Sequence, residues 1–101
     1  MLPALEAMAE GEPDGEPDEV RLAAAGSMAR LGDEAALSVV ERYLDHDSPP
    51  IRAQAAWALG WFGDERAGDH LGGMLADANP QVRIAAAAAA LQHLQQADDL
   101  N

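Results

Sequence analysis

The side chains with chemistry to offer in this chain are three histidines, eighteen carboxylates, six arginines and two tryptophans. Cysteine is absent, so no disulfide framework, thiolate metal site or thiol nucleophile can form. A zinc or di-iron centre needs two or more convergent ligands, typically histidines four residues apart beside a carboxylate, and His46, His70 and His93 show no such spacing. Ser27, Ser38 and Ser48 stand in no recognisable nucleophile motif. The run "GEPDGEPDEV" at 11–20 offers clustered carboxylates. A calcium loop, however, alternates oxygen ligands over about a dozen residues and closes with a bidentate Glu. Pro13 and Pro17 interrupt that spacing. No catalytic residue, metal or cofactor is expected, and the chain reads as a non-enzyme.

Charge narrows the partners. The formal net charge is −12 at pH 7 in 101 residues, and every basic residue is an Arg. Such a field repels phosphate backbones and anionic lipid and suits a protein partner presenting a basic segment. Host adaptation, as in a salt-loving cytoplasm, explains the same acidity. The opening "MLPALEAMAE" is too short and too acidic for a signal peptide, and "IAAAAAALQHLQQA" is too short and too polar to span a bilayer. The expectation is a cytoplasmic protein that binds neither nucleic acid nor membrane.

The elements that position these residues are repeated. "SPPIRAQAAWALGWFGDE" from Ser48 aligns with "NPQVRIAAAAAALQHL" from Asn79 at an offset of 31, pairing Pro49 with Pro80, Ile51 with Val82 and Arg52 with Arg83. The same offset backwards sets Ile51 on Val20, Phe62 on Leu31 and Gly63 on Gly32. Val40, Tyr43 and Leu44 likewise meet Leu71, Met74 and Leu75. Each unit reads as two helices. Ser48 and Asn79 are N-caps followed by Pro at the first helical position. Gly32 and Gly63 suit a left-handed helix stop, after which Asp33 and Asp64 cap the next helix. First helices are expected at about 3–10, 34–45 and 65–76, and second helices at about 18–31, 49–62 and 80–95. The apolar faces are Val20, Ala24, Met28 and Leu31 in one unit and Ile51, Ala55, Ala58, Leu59 and Phe62 in the next. No segment alternates as a strand does, so the chain is all-α.

The units fall at about 3–32, 33–63 and 64–95 of one domain, followed by a polar tail at 96–101. From Asp45 to Ile51 and from Ala76 to Val82 the turn spans six positions, whereas Glu10 to Val20 spans ten. The excess equals one "GEPD", which makes the acidic element a duplicated spacer in a turn, where added residues cost little.

Val20-Arg21 with Ala24, Ala25, Leu31, Gly32 and Asp33, and its copy Ile51-Arg52 with Ala55, Ala56, Leu59, Gly60, Gly63 and Asp64, resemble the short HEAT-like repeat named for the phycobilisome bilin lyases. Its period is below the 40–47 of ordinary HEAT and armadillo units. The resemblance implies an α-α superhelix of about three helix pairs, with the second helices lining a concave side. It implies a non-catalytic scaffold for protein–protein interaction, with a bilin-lyase-related or chaperone subunit, or an excised part of a longer array, as alternatives. It also implies that Arg21, Arg52 and Arg83, one per unit, form a ladder with turn aspartates such as Asp77. His70 and His93 take the places of Val39 and Leu31 and read as partly buried, and His46 lies in a turn.

Trp57 and Trp61 do not recur: Trp57 replaces Gly26 and Ala88, and Trp61 replaces Arg30 and Gln92. Either the indoles fill room left by Gly26 and the neighbouring alanines, or they anchor a partner on the concave face together with Arg30 and Gln92.

Overall fold

The computed structural model describes residues 17–100, and of residues 97–100 the helical backbone alone. The first helix expected at 3–10 and most of the "GEPDGEPDEV" run therefore lie outside the described residues. The rest is all helical: α1 (Asp18–Arg30), a 3-10 turn (Glu34–Ala36) running into the short α2 (Leu37–Glu41), α3 (Pro49–Leu59), α4 (Glu65–Met74) and α5 (Pro80–Leu100). The second helices α1, α3 and α5 pack side by side as an inner layer, with α2 lodged on α1 and α3, and α4 on α3 and α5, as an outer layer. This is the α-α superhelix that the repeat predicts.

Local chemistry sets the ends of each helix. Asp18 and Glu19 sit in the first turn of α1, where the exposed N–H groups favour negative charge. The helix ends at Gly32, whose φ of 96° is the single positive value among the described residues. Gly32 N–H reaches Ala29 O at 2.9 Å and Asp33 N–H reaches Met28 O at 2.9 Å, the paired bonds of a Schellman stop. Asp33 Oδ1 then accepts from Ala35 N–H at 3.0 Å and Asp64 Oδ1 from Arg66 N–H at 2.8 Å, so both aspartates cap the outer helix that follows. Asn79 Oδ1 accepts from Gln81 N–H at 2.8 Å, and Pro49 and Pro80 occupy the expected first helical positions.

Several details depart from the sequence reading. Gly63 is not left-handed: α3 tightens into 3-10 bonds from Gly60, Trp61 and Phe62 N–H to Trp57, Ala58 and Leu59 O, so the chain has already left the helix before Gly63. The Ser48 hydroxyl makes no cap bond. Leu31, aligned with the fully buried Phe62, is 81% exposed. The Schellman turn at Gly32 and the 3-10 turn after Leu59 aim these equivalent residues differently. α1 instead buries Leu22, Ala24, Ala25 and Ala29, because an inner helix must cover two flanks, one toward its outer helix and one toward the next inner helix. α5 continues to Leu100, five residues past the expected end at 95, with Leu91 standing where α3 gives way to 3-10 bonds at Gly60.

The core runs between the layers. Phe62, Leu22, Leu37, Leu59 and Leu71 are essentially inaccessible, and the aligned pairs Val40/Leu71 and Tyr43/Met74 are buried alike. Between inner helices the packing is alanine and glycine: a Cβ on Gly60 would stand 2.9 Å from Ala89 O, and one on Gly26 3.8 Å from Ala58 Cβ. Small residues at these positions let the helix axes close together.

Candidate functional site

Two sets of side chains stand out, one stitching the units together and one opening to solvent. The stitching set lies in the turns between outer and inner helices. Arg52 of α3 is bidentate to Asp77, Nε to Oδ2 at 2.9 Å and Nη2 to Oδ1 at 3.1 Å, while its Nη1 donates to His46 O at 2.7 Å in its own turn. Asp77 also accepts from Asn79 N–H at 2.8 Å. The Arg52 hydrogen bonds, with help from that backbone N–H, hold the Asp77 carboxyl below the usual carboxylate range. Arg83 Nη1 repeats the own-turn half of this geometry, donating to Asp77 O at 2.8 Å and Ala78 O at 3.2 Å.

Arg21 differs, because the residue aligned with Asp77 is His46. Its Nη1 donates to the Tyr43 hydroxyl at 3.3 Å and lies 3.5 Å from Asp18 Oδ1. His46 Nδ1 accepts from Ser48 N–H at 3.0 Å, which leaves Nε2 as the protonated nitrogen, donating to Asp18 Oδ2 at 3.2 Å. His46 thus serves the N–H two residues on, as Asp77 does, while the acid has moved to Asp18 on α1. Sequence reasoning placed His46 in a turn and missed this exchange, although its alignment with Asp77 carried the signal.

The other histidines are likewise held by local partners. His70 Nε2 meets Glu41 Oε2 at 2.7 Å, linking the two outer helices, and His93 Nδ1–H donates to Phe62 O at 2.8 Å. Glu34, not singled out by sequence, accepts from both Gly63 and Asp64 N–H at 3.1 Å through one oxygen. Among the described residues no group of three or more His, Asp or Glu side chains could hold a metal ion.

The open set lies on the inner layer, on α1, α3 and α5. Arg30, Trp61 and Gln92 occupy one position in successive units, and the Arg30 guanidinium lies 4.6 Å over the Trp61 ring, a cation–π contact. Trp57, one turn earlier on α3, is 50% exposed, so it does not fill the space beside Gly26. Together with Ser27 and Gln54 these side chains line a groove between α1 and α3. The groove continues into an open pocket of about 460 Å³ bounded by Arg30, Trp61, Glu34, Asp64 and Gln96. Gln92 is partly buried on α5 and borders neither cavity. Arg30 forms no ion pair among the described residues and lines both cavities. The arrangement offers an aromatic face, a planar cation and the Glu34 carboxylate, while Asp64 is paired with Arg66 at 3.4 Å.

Among the described residues no helix is long and apolar enough to cross a membrane. A comparison with curated proteins finds no match. Residues 2–92 match the family model for HEAT repeats, in agreement with the paired helices, the offset of 31 and the inner and outer layers. The chain belongs to the HEAT-repeat family.

Proposed function

We propose that the chain is a non-catalytic scaffold that docks a protein segment along the groove between α1 and α3, on the concave side of a short superhelix. HEAT repeats commonly act as protein-interaction scaffolds and are typically non-catalytic. The carrying observation is the half-exposed Trp57 beside the Arg30–Trp61 stack. Trp and Arg dominate binding hot spots because they combine a large desolvated area with directed hydrogen bonding. An apolar side chain of the segment would cover Trp57 and an acceptor would meet Arg30, while Glu34 suits a basic flank. Gln92 would extend the same face onto α5. The period of 31, short for HEAT units, supports membership of the phycobilisome-lyase-type subclass.

The test is selection of peptide ligands on the native chain, followed by binding measurements with the Trp57→Ala, Trp61→Ala double variant. Circular dichroism must first show equal helicity. Loss of at least about tenfold in affinity is expected, the scale of hot-spot truncations. Unchanged affinity for every selected ligand would remove the groove as the docking site.

A further inference from the structure

α5 carries apolar side chains on two opposite flanks. One flank, Val82, Ala85, Ala86 and Ala89, is buried against the layers. The other exposes Ile84 at 68%, Leu91 at 67% and Leu94 at 59%, with Ala87 exposed between them. A contiguous exposed apolar patch marks an interaction site, so this flank calls for a cover.

The repeat shows what the flank does elsewhere. Ile84, Ala87 and Leu91 align with Ala53, Ala56 and Gly60 of α3 and with Leu22, Ala25 and Ala29 of α1. Gly60 packs directly on Ala89, and Leu22, Ala25, Ala29 and Ala56 are all buried. The exposed flank of α5 therefore continues the interface by which one inner helix meets the next. It does so with other side chains than α3, since Ile84 and Leu91 replace Ala53 and Gly60 and Leu94 is added, whereas α1 already carries the bulky Leu22 at the Ile84 position.

Ile84, Ala87, Leu91 and Leu94 follow the three-four spacing of two heptads, the pattern of a helix-pairing seam. An antiparallel pairing sets Ile84 opposite Leu94 and Ala87 opposite Leu91 of the other helix, matching large with small in each inner layer. A parallel pairing would set Ala87 on Ala87 and leave a gap. Charge selects the occupant. In a chain of net charge −12, residues 80–96 contain no Asp or Glu and a single cation, Arg83. Up to Asp98, where the carboxylates of the helix begin, two copies can meet along this flank without setting carboxylates against carboxylates.

We propose that two copies of this chain associate through their α5 helices, antiparallel and two-fold symmetric, along Ile84, Ala87, Leu91 and Leu94. The patch is self-complementary, as a two-fold interface requires. The seam is short, so dissociation falls in the micromolar range, not the nanomolar.

The experiment is sedimentation of the whole chain over a wide concentration range, beside Leu91→Glu. The native chain is expected to reach twice the monomer mass, and Leu91→Glu to stay a monomer with unchanged helicity, its self-association weakened by about tenfold or more. A native chain that is monomeric at the highest concentration, or a Leu91→Glu chain that pairs like the native one, overturns the proposal. Because the described chain holds no cysteine, orientation is read by mixing Ala87→Cys with Leu91→Cys chains under mild oxidation. The mixed disulfide is expected to dominate, and preferential Ala87→Cys homodimers would overturn the antiparallel arrangement.

Discussion

Arg52 spans two turns at once, holding a carbonyl in its own turn and both oxygens of Asp77 in the next. Asp77 in turn accepts from Asn79 N–H, so one carboxylate orders the start of α5 and ties it to α3. Because these donors lower the Asp77 pKa in the folded chain, the stability it adds is fully present above its unfolded value of about 3.9 and is lost as pH falls through the folded value. Thermal melts across the acid range should show a steeper loss for the native chain than for Asp77→Asn, and parallel curves would contradict the assignment. Arg83, which engages only backbone carbonyls among the described residues, should matter less when replaced by Ala than Arg52. At this scale the sequence was partly legible. Periodicity marked the arginines and set His46 in the place of an aspartate, but it could not reveal that the acid is then supplied by Asp18 of α1.

Helix boundaries were legible where a residue type forces a conformation and illegible where packing decides. Asp33, Asp64, Pro49 and Pro80 fixed starts as their chemistry requires. Gly63 misled, because α3 ended through 3-10 bonds at Gly60–Phe62 and needed no left-handed residue. The glycines yield a paired prediction of opposite sign. In Gly60→Ala the new Cβ would meet Ala89 backbone atoms at 2.9 and 3.2 Å, forcing α3 and α5 apart at a cost of about 1–3 kcal/mol. In Gly72→Ala the Cβ meets open space within α4, and the lost unfolded-state freedom should stabilise the chain by about 0.4–1 kcal/mol. Denaturant titrations of both variants check this, and equal shifts would show that inner-helix spacing is not set by Gly60.

Over the whole molecule the charge is segregated. The outer helices and turns at 31–48 and 60–79 carry nine acidic residues against two arginines, whereas α1, α3 and α5 up to residue 96 carry Asp18 and Glu19 against four arginines. Seven of the eighteen carboxylates lie at residues 1–16 and 98–99, so the net charge read from composition says little about the groove, where the Arg30 guanidinium lies 4.6 Å over the Trp61 ring. Raising salt from 0.1 M to 1 M shortens the screening length from about 10 Å to about 3 Å. The melting temperature should rise with it, and an indifferent melt would contradict repulsion among the carboxylates of the outer layer.

In the proposed docking, partners are read by the inner layer. The two indole N–H signals of Trp57 and Trp61 report on it directly in a proton–nitrogen correlation spectrum, with the backbone amides of α2 and α4 as the contrast. On titration with a selected ligand, both indole signals and the amides of α1 and α3 should move while those of α2 and α4 stay. Shifts confined to α2 and α4, with the indoles unmoved, would contradict docking on the inner layer.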